Sequence, residues 1–165
     1  MIKNYLHFVS KKKSQIVLFT LLNLCGLFFI LLPHNIFWNM IDLYFSYSSV
    51  EVSKSFNQMG ENGRHLYFYS TLILDTIYPI LYTSLILGAY VNLFKNQSYI
   101  LSIPLLAFTL DILENINISY MNLNYLMLNE TQVMVASNIT SLKWIVISIM
   151  IFLLIYGLFK KKTNA

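Results

Sequence analysis

Charge is what this chain has least of. Only 11% of its 165 residues are Asp, Glu, Lys or Arg, where about 25% is usual for a soluble domain. So few ionised groups cannot solvate a surface this size, which excludes an ordinary soluble fold. Cysteine is down to a single residue, Cys25, inside an apolar run, so no internal disulfide can form and the thiol reads as a small buried hydrophobe. The three histidines, His7, His34 and His65, are scattered. With no HExxH and no Cys/His cluster, the pattern argues against a catalytic zinc site. No Gly-rich phosphate loop occurs among five glycines, and no metal or cofactor is expected. Repeats and linker-like stretches are missing too, so residues 1–165 read as one domain.

What is present is apolar: 57% hydrophobic residues, 16% aromatic, and a mean hydropathy of +0.61. Four runs are long enough to cross a bilayer. The expected fold is all-α, a polytopic bundle of four transmembrane helices at about 16–41, 66–94, 99–120 and 142–159. Ile16 to Leu32 makes about 25 Å of helix, longer than a signal-peptide core, and no small-residue cleavage pattern follows. The first helix is expected to continue through Pro33 with a kink. A short amphipathic outer helix at about 48–60 is expected from Val52, Phe56 and Met59, with Ser48 or Ser49 as cap and Gly60 and Gly63 as stops. It would lie on the membrane surface or over the bundle mouth. The Asn-rich stretch 121–141 reads as a connection, and the short one near Lys95 makes helices two and three antiparallel neighbours.

The net charge of +4 conceals an asymmetry. Lys3, Lys11, Lys12, Lys13, Lys95, Lys160, Lys161 and Lys162 occupy the two ends and the 95 loop with no acid among them. The rest of the chain holds three cations against seven acids. Basic loops stay in the cytoplasm, which predicts a multi-pass inner-membrane protein with both termini cytoplasmic. The lysines thus report orientation and contact with anionic lipid heads. They do not point to nucleic acid.

The polar residues inside the apolar runs fall in stripes. Asp75, Tyr78, Pro79 and Tyr82 share one face of helix two; Asp111, Glu114 and Asn115 share one face of helix three. Counting from the outer ends places these acids roughly 9–14 Å deep. One charge near the bilayer centre costs roughly 2.5–3.5 kcal/mol on insertion scales, so three carboxylates must face the bundle interior. Arg64 sits above one stripe, Lys143 opens helix four at the same level, and Asp42 and His34 arrive from helix one. A bland alternative pairs Asp75 with Lys143 or Arg64 and lets Glu114 and Asn115 bridge helices.

The matching pieces Tyr47-Ser48, GENGRHLY (Gly60 to Tyr67), DTIYPILY (Asp75 to Tyr82), PLLAFTLDILEN (Pro104 to Asn115) and ASNITSLKW (Ala136 to Trp144) carry a family resemblance. From Asp42 onward, about three quarters of its length, the chain resembles a group of small, uncharacterised bacterial four-helix membrane proteins. The resemblance implies that Arg64, Tyr67, Asp75, Asp111, Glu114, Asn115 and Lys143 form a shared site, and it implies no particular activity. A looser, purely topological similarity is to the sterol-isomerase and sigma-2-receptor type, which implies a pocket for cationic amphiphiles.

The leading expectation is therefore a binding or transport-related protein. Asp75, Asp111 and Glu114, with Tyr67, Tyr78, Tyr82 and Asn115, would hold a cation, a proton or an amine-bearing lipid or small molecule. Arg64 and Lys143 would set the charge or grip a lipid phosphate. The alternatives are a lipid-modifying enzyme using Asp75 or Glu114 as general acid or base, and a structural subunit of a membrane complex. Membrane lipids are the expected partners.

Overall fold

The computed structural model describes residues 2–94 and 98–163. The Lys95 loop used above for orientation lies outside them. Among the described residues there is no strand, and six α-helices follow in order: α1 (Ile2–Ser10), α2 (Lys12–Ile30), α3 (His34–Phe37), α4 (Ser49–Leu93), α5 (Ser102–Leu123) and α6 (Glu130–Thr163). Four of them, α2, α4, α5 and α6, are long and apolar enough to cross a membrane.

Pro33 stops the first long helix where a kink was expected. It lacks the N–H that would continue the ladder and disfavours helical geometry at the residue before it. The chain leaves α2 at Ile30 and restarts as the one-turn α3, with Pro33 extended at its start. A 3-10 turn, Ile41–Leu43, then carries Asp42.

α4 starts as its residues prescribe. The Ser48 side chain accepts from the Glu51 amide, and the Glu51 carboxylate accepts from the Ser48 amide at 2.7 Å, a complete capping box. Gly60 bends the helix at φ 70°, ψ 178° without a connecting loop. The arm before it folds over one end of the bundle, here called the upper end. There Val52, Phe56 and Met59 pack with Tyr67, Ile118, Met121, Val133 and Ala136. That backbone region is open essentially to glycine alone, and a Cβ at Gly60 would meet no atom within 4 Å. Gly60→Ala therefore costs backbone strain without a clash, about 1–3 kcal/mol. The thermal midpoint should fall while helical circular dichroism is unchanged; an unshifted midpoint would refute the assignment.

The stretch 121–141 is mostly helix, not connection. α5 runs on to Leu123, and Asn129 caps α6 by accepting from the amides of Thr131 (2.9 Å) and Gln132 (3.4 Å). One face of this added segment, Val133, Ala136, Ser137 and Thr140, is buried, so tertiary packing overrides the weak local propensity of an Asn-rich sequence.

α4 is the central helix and packs against α2, α5 and α6; α5 and α6 pack against each other. α2 leans on α4 and has no comparable packing on α6. At the lower end, α1 docks along α4. Asn92 donates to the Ser10 carbonyl at 2.8 Å, Gln15 donates to the carbonyls of Val9 and Leu85, and the Tyr5 and Ser84 hydroxyls are 2.6 Å apart. Gly88 permits this approach, because a Cβ there would overlap the Val9 carbonyl. Gly157 of α6 lies against Leu93 and Phe94, so the basic ends of α2 and α6 share the lower end.

Candidate functional site

The site is built from a backbone defect. Pro79 has no N–H to give the carbonyl four residues earlier, which is that of Asp75. Asn115 of α5 supplies the missing donor, Nδ2 to the Asp75 oxygen at 2.6 Å. The DTIYP segment and the Asn115 side chain thus fix how α4 and α5 meet, and they hold the Asp75 side chain at the junction.

Lys143 is the charge centre. It is 5% exposed, donates to the Glu114 carboxylate and, at 3.4 Å, to the Asp42 carbonyl, and stands 3.6 Å from the Asp111 carboxylate, an ion pair beyond hydrogen-bond length. Asp111 also accepts from the Tyr82 hydroxyl, and Asp42 accepts from the Tyr67 hydroxyl at 2.5 Å. Glu114 is 1% exposed, and its Oε1 is buried without a partner, as are Asn115 Oδ1, Thr71 Oγ1, Ser119 Oγ and Asp75 Oδ2.

Asp42, Asp75, Asp111 and Lys143 all line one hollow of about 460 Å³. Tyr78 and Tyr82 stand edge to face on its wall, with ring centres 6.1 Å apart, and Phe29 of α2 meets Tyr78 at 5.9 Å. Away from the acids the wall is hydrocarbon: Leu22, Gly26 and Ile30 from α2, Leu85 and Ile86 from α4, and Ile147, Met150 and Ile151 from α6. The space lies between α2 and α6, which do not pack on each other as each packs on α4.

The expected stripes therefore converge, with corrections. Arg64 does not join. Asp75 is eleven residues further along α4, about 16 Å at helical rise, and the guanidinium instead donates to the Phe56 carbonyl at 3.2 Å and covers the Tyr125 ring at 3.7 Å. Asp75 pairs with neither Arg64 nor Lys143, because Lys143 is taken by Asp111 and Glu114. His34 is exposed beside Trp38. Tyr67 acts from behind, by holding Asp42. Asn115 touches the Asp75 backbone, not its carboxylate. Lys143 lies within α6 and does not open it. Asp42, left outside the expected set of site residues, belongs to it, and the acid that ends the first apolar stretch was the available signal. The α2 side of the wall left no signal beyond ordinary hydrophobicity. Among the described residues no group of three or more His, Cys, Asp or Glu could hold a metal ion.

No protein-family model, curated protein or solved structure matches the chain.

Proposed function

We propose that this is an inner-membrane protein, with both ends cytoplasmic, that binds a hydrogen-bond-donating head group, an amine above all, on Asp75 beneath the outer face of the bilayer. Support for the membrane is the inversion of the usual pattern. Asp, Glu, Lys, Asn and Thr side chains are buried, while Phe19, Leu24, Phe28, Ile149 and Phe152 are exposed, far more contiguous apolar surface than water tolerates. The lysines gathered at the lower end support the orientation. The upper arm of α4 would then lie on the outside, over the bundle mouth.

The observation that carries the binding reading is an imbalance of open hydrogen-bonding positions. Asp75 lines the hollow and its Oδ2 is buried without a hydrogen-bond partner, while the one cation lining it, Lys143, is held against Glu114 and Asp111. An anionic phosphate would face Asp42, Asp75 and Asp111, would have to displace Glu114 and Asp111 from Lys143, and would find no Arg64 within reach. A protonated amine supplies what Asp75 lacks, and a charge-assisted bond of that kind is roughly twice as strong as a neutral one. Four carboxyl groups around one ammonium favour the same sign of guest.

The test is a thermal-shift series in phosphatidylcholine nanodiscs with butylamine, dodecylamine and inorganic phosphate. Wild type should be stabilised by the amines and not by phosphate, and Asp75→Asn should lose at least about tenfold in amine affinity, equivalent to about 1.4 kcal/mol. Equal amine response in the two proteins would remove the proposal.

A further inference from the structure

The hollow is long, and its two ends differ in chemistry. Its charged end lies at Asp42, Asp75 and Lys143. From there it runs along α6 to Ile151, eight residues or about 12 Å, and along α4 to Ile86, eleven residues or about 16 Å. Tyr82 and Asp111 still line it seven residues, about 10 Å, below Asp75 on α4; beyond them the lining is Leu22, Leu85, Ile86, Met150 and Ile151, with nothing polar. A bare cation or a proton would need the acids alone and would leave this hydrocarbon compartment without a purpose. α2 packs on α4 and not comparably on α6, and both α2 and α6 line the hollow, so the weakest seam in its wall lies between those two helices.

We infer that the site takes a single-chain amphiphile oriented like a lipid of the outer leaflet, its donor head at Asp75 and its hydrocarbon tail running down between α2 and α6, reached laterally from the bilayer. This deepens the amine reading and rests on it for the head group. The tail compartment stands on separate residues, so the two can fail separately. Gly26 stands where the two parts join, opposite Tyr78 and one turn above Leu22 of the tail compartment. A Cβ there would meet only Tyr78 Cε2, at 4.0 Å, so a larger side chain at this point grows into free space instead of into a neighbour.

Trp144 lines the hollow beside Lys143 and provides the readout. In a Trp38→Phe background it is the sole tryptophan. Dodecylamine carrying bromine next to the head should quench Trp144 saturably in phosphatidylcholine nanodiscs, and more strongly than the same amine brominated at the chain end. Gly26→Phe should weaken that saturable quenching by about tenfold or more, and Ile147→Phe, which fills the compartment from the α6 side, should do the same. Both variants should keep the wild-type helical circular dichroism and the thermal midpoint of the unliganded protein, which shows that they fold.

Equal quenching by the two brominated amines, or quenching indifferent to both plugs, overturns the tail compartment and leaves the head site standing. Saturable quenching that persists in Asp75→Asn overturns the head assignment and leaves the compartment. Quenching that never saturates in wild type overturns both.

Discussion

Lys143→Met is expected to cost 3–5 kcal/mol of stability, the usual penalty for removing one partner of a buried ion pair. The side chain that replaces it is close in volume, so little of the loss comes from a cavity. It comes from Glu114 and Asp111, which keep their burial and lose their shared cation. Glu114 already has one oxygen without a donor and would then have two. At about 2–4 °C per kcal/mol for a chain of this size, the thermal midpoint should drop by roughly 6–20 °C. The diagnostic comparison is with Lys143→Met/Glu114→Gln. An amide carries no charge to strand, so the double variant should recover more than half of the loss. If it is no better than the single variant, Lys143 matters for packing and not for charge.

Phe56→Ala should be nearly as damaging, by a different route. Its ring is fully buried under the upper arm of α4, with the Tyr67 ring 6.4 Å away. Truncating such a core ring costs about 3–5 kcal/mol. The effect should be local before it is global, because the arm is joined to the rest of α4 only through the Gly60 bend. Limited proteolysis should cut between Tyr44 and Gly60 faster in the variant, while the helices below stay resistant. The Arg64 bond to the Phe56 carbonyl uses backbone and survives the substitution. Val50→Ala, on the exposed side of the same arm, is the control and should change neither rate nor midpoint.

The residues that were readable in advance are those whose partners lie close in sequence. Ser48 and Ser49 announce a helix start, and the Glu51 carboxylate is what settles the cap on Ser48. Val52, Phe56 and Met59 announce the face that covers the bundle, and Asp75, Tyr78 and Tyr82 announce a shared stripe. Arg64 was misread because a charge in an apolar chain suggests an opposite charge as partner. Here an aromatic face and a carbonyl satisfy it nearby, while the acids lie too far along the helix. The partner of Lys143 was similarly ambiguous: three acids lie within reach of its level, and only the rotation of α5 about its axis decides in favour of Glu114 and Asp111. The docking of α1 depends on Gly88, whose meaning appears only once another backbone is pressed against it. An acidic cavity was expected from the converging stripes, but its hydrocarbon extension was beyond reach of the sequence, since it depends on where α2 leans, and residues such as Leu22 or Ile147 look the same facing a cavity as facing lipid.

The bond network around Lys143 also sets an order of events during synthesis. Both of its acidic partners reside on α5, yet the cation that neutralises them is translated later, on α6. A nascent chain halted after Leu128 would hold Asp111 and Glu114 in a segment that has no counter-charge, and such a segment settles poorly in hydrocarbon. In the membrane setting proposed for the chain, the two helices are expected to leave the translocon together, as a hairpin, with the ammonium delivered to its carboxylates before either meets lipid.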